Sequence, residues 1–118
     1  MAKIIFTIDN INYNGGAHFA TFKTANYLCS SGHTVILYSP VKAGEPVHAH
    51  IADGVQITQK VSFSDADYIV VPFENSAFFE KVAALKTDHA RKIQWIHIDY
   101  DVWKYVVQDD TEQRRQLL

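Results

Sequence analysis

Gly15 and Gly16 stand between Asn14 and a stretch that runs with helical spacing to Ser31. A helix start leaves backbone N–H groups unpaired and carries partial positive charge. Two residues without a Cβ let a ligand come close to that backbone. The pair reads either as a tight turn or as a cradle for a phosphate or diphosphate. Asn14 is of a type suited to cap the helix. A second candidate pair is His97 and Asp99. Period-two alternation puts both on one side of a strand that continues to Asp99. The histidine can donate to a sugar hydroxyl or a phosphate, and the carboxylate can bind a hydroxyl or orient the ring. The plainer reading is a histidine satisfied by nearby backbone.

Other groups point less clearly to chemistry. His48-Ala49-His50 lies in a stretch with Pro40, Gly44, Pro46 and Gly54, with no cysteine and no evident third ligand, so a surface loop is expected rather than zinc. His18 sits near the helix start, either against an anion or exposed on the helix. His33 reads as structural and His89 as surface. The one cysteine, Cys29, falls within the helix and is expected in the core; alone it makes no internal disulfide. No Walker loop, nucleophile elbow or G-x-G-x-x-G fingerprint is present. No metal or other cofactor is implied.

The elements that must position these groups alternate. Lys3 to Ile8 is a nearly continuous apolar run, suited to a strand buried on both faces. A helix over 16–31 follows, with Ala17, Ala20, Thr24 and Leu28 recurring and Thr21 and Ala25 beside them. Gly32 stops it in a left-handed conformation. Thr34 to Tyr38 is a second buried strand, ended by Pro40. The loop over 40–54 includes a short helical turn near Val47 to Ala52, and Val55 to Val61 is a short strand. Tyr68 to Val71 is a third buried strand, closed by Pro72, with Glu74, Asn75 and Ser76 in the loop after it. A helix over 76–85 and a strand over 92–98 come next, and Val102 to Leu118 reads as loop and then helix. Tyr100 and Trp103 offer a stacking wall for a sugar or belong, like most aromatics, to the core.

This order predicts one α/β domain over 1–118, Rossmann-like, a three-layer sandwich with a mostly parallel sheet. Ligands bind such folds at the carboxyl ends of the strands. That edge gathers residues 9–16, Ser39, Pro40, residues 73–76 and residues 97–101. The chain has 118 residues, 47% of them hydrophobic, and a formal net charge of −2, without a basic run; a nucleic-acid surface is not expected. The opening apolar run is too short for a signal peptide, and none is long enough to span a bilayer. A cytoplasmic protein is expected.

Several stretches resemble, in order, the opening of family 4 retaining glycosyltransferases of the GT-B fold. They are Lys3 to Ile8, Asn14-Gly15-Gly16-Ala17, Ala25-Asn26-Tyr27-Leu28, Gly32-His33-Thr34-Val35 and Asp67-Tyr68-Ile69-Val70-Val71. Gln94-Trp95-Ile96-His97-Ile98-Asp99-Tyr100 is similar to a stretch of members that build bacterial cell-surface polysaccharides. The resemblance implies two Rossmann-like domains about a cleft, of which this chain is the N-terminal, acceptor-binding one. A separate C-terminal domain, with a Glu-x7-Glu motif, would bind most of the nucleotide-sugar. Gly15 and Gly16 would approach the donor diphosphate, His97 would be the catalytic histidine facing the donor sugar, and Asp99 a nearby polar contact. Asn14, Glu74 and Asn75 are assigned with them to substrate binding. Partners would be a nucleotide-sugar donor and a glycan or lipid-linked acceptor, the latter bringing the full protein to a membrane surface. Two departures stand out. His18-Phe19 replaces the Glu-Arg often found after Gly-Gly-Ala, and Pro72 to Ser76 replaces a histidine-containing loop, which leaves the acceptor class open. The chain is accordingly expected to be inactive alone. The rival expectation is a non-catalytic Rossmann-like domain, complete at this length, that binds a nucleotide or a protein partner. A receiver domain is disfavoured because Asp9 lacks an adjacent acidic pair.

Overall fold

The computed structural model describes residues 1–12, 15–73, 76–87 and 89–95. The strands are β1 (Lys3–Thr7), β2 (Thr34–Tyr38), β3 (Gln56–Thr58), β4 (Tyr68–Val71) and β5 (Arg91–Gln94). The helices are α1 (Gly16–Ser30), α2 (Glu45–His48) and α3 (Phe78–Ala84). The five strands form one sheet in the order β3-β2-β1-β4-β5, and every neighbouring pair is parallel.

The apolar runs explain the layering. Successive residues of a strand face opposite sides, so a strand covered on both faces must be apolar throughout. Ile4, Phe6, Val35, Leu37 and Val70 face one way and pack with Phe22 and Ala25 of α1. Ile5, Ile36, Ile69 and Val71 face the other way and pack with Val82 of α3. The result is a helix–sheet–helix sandwich, the Rossmann-like α/β architecture that the alternation of elements predicts. Each fully buried side chain of this size contributes about 1.5–3 kcal/mol. Thr7, also fully buried, avoids a desolvation penalty because its Oγ1 donates to the Val70 carbonyl at 3.1 Å.

Several local details depart from the sequence reading, beyond the shorter spans of β3 and α3. The buried stripe of α1 is His18, Thr21, Phe22 and Ala25, so the helix is turned from the face marked by Ala17, Ala20, Thr24 and Leu28. The short helix α2 begins at Glu45, earlier than expected, because Pro46 falls in its first turn, where a missing N–H costs nothing. β5 starts at Arg91 rather than Lys92; the continuation expected through Ile98 lies outside the described residues. The end of α1 follows expectation. Gly32 has φ +97°, its N–H donates to the Cys29 carbonyl at 3.1 Å, and the His33 N–H donates to the Leu28 carbonyl at 3.1 Å.

Candidate functional site

β1 feeds β2 and β3 on one side, and the chain then returns to place β4 on the other. The strand order therefore reverses between β1 and β4. In open α/β sheets the crevice at the carboxyl ends of such strands is where ligands bind. Here it is framed by the loop after β1, the start of α1 and the loop after β4.

The loop after β1 is fastened at several points. Ile11 is fully buried and anchors it in the core. The Ile11 N–H donates to Ser39 Oγ at 3.3 Å, and Ser39 Oγ also accepts from the Val41 N–H at 3.2 Å. Asn12 spans to the loop after β2, donating to the Lys42 carbonyl and accepting from the Gly44 N–H, both at 2.7 Å. This loop is thus held on two sides before it reaches the glycines.

Among the described residues, no side chain caps the start of α1. Gly15 occupies the N-cap position with φ −136° and ψ 167°, an extended conformation any residue adopts. Its side-chain-free cap makes no hydrogen bond, and the first turn holds no acidic residue. The first helical bond runs from the Phe19 N–H to the Gly15 carbonyl at 3.1 Å, so the N–H groups of Gly16, Ala17 and His18 precede the ladder. A Cβ built on Gly16 would meet no described atom within 4 Å, and its φ is not in the left-handed region. Neither glycine is demanded by its own backbone geometry.

His18 joins the three parts of the frame. It is buried, at 8% exposure, rather than lying on the outer face of the helix. Its Nε2 donates to the Asn10 carbonyl at 2.9 Å. Its ring stacks on Phe73 with centroids 4.4 Å apart and planes 20° from parallel. The first turn of α1 is thereby tied to the loops after β1 and β4. A second tie runs through Asp9. Ser76 Oγ donates to Asp9 Oδ1 at 2.6 Å, and the Ala77 N–H donates to Asp9 Oδ2 at 2.7 Å. Ser76 Oγ in turn accepts from the Phe78 N–H at 3.0 Å. The carboxylate at the end of β1 thus caps the start of α3 partly through Ser76, satisfying N–H groups a helix start leaves bare.

Gly15 and Gly16 lie where the sequence reading places them, on the carboxyl edge beside the switch point. The other assigned residues, Asn14, Glu74, Asn75, His97 and Asp99, lie outside the described residues. Sequence reasoning missed His18 and Asp9 as positioning groups. For His18 the signal was its i, i+3, i+4, i+7 relation to Thr21, Phe22 and Ala25. The Asp9–Ser76 bond spans 67 positions, and no local pattern announces it.

The remaining histidines are accounted for locally. His33 Nδ1 accepts from the Ala2 N–H at 3.0 Å, a structural role as expected. His89 is on the surface, with Nε2 3.1 Å from Asp67 Oδ1. His48 and His50 are exposed, and among the described residues no group of three or more His, Cys, Asp or Glu could hold a metal ion. No helix among the described residues is long and apolar enough to cross a membrane.

Fold and site together define a Rossmann-like α/β domain with a fastened switch-point crevice and, among the described residues, a helix start without a side-chain cap. No family model, curated protein or solved structure matches the chain.

Proposed function

We propose that this chain is the acceptor-side domain of a retaining glycosyltransferase, and that the start of α1 receives the diphosphate of a nucleotide-sugar. The observation that carries the reading is the glycine pair. Gly15 and Gly16 leave a helix start uncapped and approachable at the switch point, although neither backbone conformation requires glycine. The N–H groups of Gly16 and Ala17 and the helix dipole favour an anion there. The ordered motif resemblance supplies the rest of the proposal. His97 faces the transferred sugar, with Asp99 beside it, and Asn14, Glu74 and Asn75 contact substrate. A donor-binding domain outside these 118 residues holds most of the nucleotide-sugar, and the chain alone is inactive. An acceptor hydroxyl, from a glycan or a lipid-linked saccharide at a cytoplasmic membrane surface, attacks the anomeric carbon. The bond to the diphosphate breaks, and the helix start stabilises the charge that develops on the leaving group.

Sugar transfer by the two-domain enzyme, wild type against His97→Ala, tests the catalytic assignment. A loss of about 10²–10³ in turnover is expected, the scale of removing one transition-state hydrogen-bond donor. Unchanged turnover would remove His97 from the proposal.

A second reading is a domain that binds a nucleotide without catalysis. It is favoured by the use made of the described polar side chains on this edge. Asp9, Asn12, His18, Ser39 and Ser76 all make hydrogen bonds that hold the loops. On that reading the glycines still bind the diphosphate, but no transfer accompanies binding.

A further inference from the structure

Phe73 is held at both its ring and its backbone. The ring stacks on His18 in the first turn of α1, with centroids 4.4 Å apart and planes 20° from parallel. The carbonyl accepts from Gln94 Nε2 at 3.0 Å and from the Ser76 N–H at 3.4 Å. Gln94 is the last residue of β5 and pairs in register with Val71 of β4. Its Nε2 also lies 3.2 Å from the Val71 carbonyl and 3.4 Å from the Trp95 carbonyl. A carbonyl can only accept, so this cluster fixes the amide with its nitrogen toward the loop after β4. The amide oxygen is left buried, without a partner among the described residues. A buried acceptor that meets no donor lowers stability. An apolar side chain of the same length would fill the space without that cost, so the donor end of Gln94 is the feature that needs a role.

We propose that Gln94 and Phe73 are positioning residues for the anion site at the start of α1. Gln94 sets the Phe73 carbonyl, and with it the direction in which the Phe73 side chain leaves the loop. The Phe73 ring sets His18, the third residue of α1, and so the direction of the N–H groups of Gly16 and Ala17 before it. Neither residue needs to touch the anion. A binding group is held to about 0.5 Å only when its neighbours are themselves locked by packing and hydrogen bonds. Here those contacts form one continuous chain from β5 through the loop after β4 to α1. Asp9 fastens Ser76 and Ala77 further along the chain, so Phe73 is held on its α3 side as well. The inference deepens the diphosphate reading and rests on it for the identity of the ligand only.

The test uses the full 118-residue chain with Gln94→Met, which keeps the length of the side chain and removes the amide. In the wild type, the stack should give the carbon-bound ring protons of His18 an upfield ring-current shift in the nuclear magnetic resonance spectrum. Gln94→Met should keep the wild-type far-UV circular dichroism, reduce that shift, and weaken binding of inorganic pyrophosphate at the Gly16 and Ala17 amides by roughly 2- to 30-fold. Phe73→Leu, which removes the ring and leaves Gln94 in place, should weaken that binding by a similar factor, and Phe73→Tyr, which keeps the ring, should restore it. An unchanged His18 shift in folded Gln94→Met, or wild-type affinity in Phe73→Leu, would overturn the proposal. If pyrophosphate leaves the wild-type Gly16 and Ala17 amides unmoved, the diphosphate reading fails. The His18 shift in Gln94→Met then decides the positioning role by itself, for it if reduced and against it if kept.

Discussion

Gly16 and Gly32 show how one residue type serves two purposes. Gly32 holds φ +97° and closes α1 with two backbone hydrogen bonds. A Cβ there meets nothing within 4 Å, so the cost of Gly32→Ala is purely conformational. We expect a destabilisation of about 1–2 kcal/mol, measured by urea unfolding. Gly16 has neither constraint. Gly16→Asp places a carboxylate at the positive end of α1 and restricts the unfolded chain; stability should rise by about 0.5–1 kcal/mol. The same carboxylate should repel a diphosphate. A variant that gains stability while losing anion binding would separate a glycine kept for ligand approach from one kept for folding.

Asp67 belongs to the same scale. Its Oδ2 accepts from the Lys3 N–H at 2.8 Å, while its own N–H donates to the Lys3 carbonyl at 2.9 Å. The Lys3 N–H donated to the carboxylate holds the carboxyl below the ordinary 3.8; desolvation opposes it, and His89 adds a lesser lowering. A carboxyl with a depressed folded value stabilises above its unfolded value and loses that contribution as pH falls through the folded one. Thermal stability should therefore fall as pH drops below about 4, and Asp67→Ala should flatten that part of the profile. An unchanged slope in the variant would place the acid sensitivity elsewhere.

At the scale of elements, α1 is both a core helix and the presenter of the site. Its buried stripe ends at His18, whose bond to Asn10 and stack on Phe73 fix the first turn. Phe is close to His in shape, so His18→Phe should keep the stack on Phe73 and lose the hydrogen bond to the Asn10 carbonyl. The Asn10 carbonyl then gives up a partly buried partner, at a cost of about 1–3 kcal/mol. Phe6→Ala in the sheet beneath should cost about 3–5 kcal/mol; chemical denaturation measures both. The strands Thr34–Tyr38 and Tyr68–Val71 were legible because their apolar runs have one interpretation in a sandwich. The stop at Gly32 was legible because few residues tolerate that backbone. The facing of α1 was not, since small residues such as Ala17 and Ala20 mark a helical face weakly. The Asp9 tie to Ser76 depends on the return of β4 to β1, which only the sheet order reveals.

At the scale of the molecule, the domain is a helix–sheet–helix sandwich with two concave regions that differ in character. The crevice at the carboxyl edge is polar, is held by side chains of three loops, and among the described residues leaves one helix start without a side-chain cap. The groove beside β5 is apolar and is lined in part by Ile93 and Trp95. On the proposed function, in which this chain contributes one wall of a cleft, the chain by itself should bind a nucleotide weakly, because much of the binding surface belongs to the other wall. The central claim is that the start of α1 meets the diphosphate. Amide chemical shifts of the chain, followed by nuclear magnetic resonance during titration with a nucleoside diphosphate, test it directly. The account predicts weak, millimolar binding, with the largest shifts at Gly15, Gly16, Ala17 and His18 and none at those amides in Gly16→Asp. Shifts centred elsewhere, or an unchanged response in the variant, would contradict it.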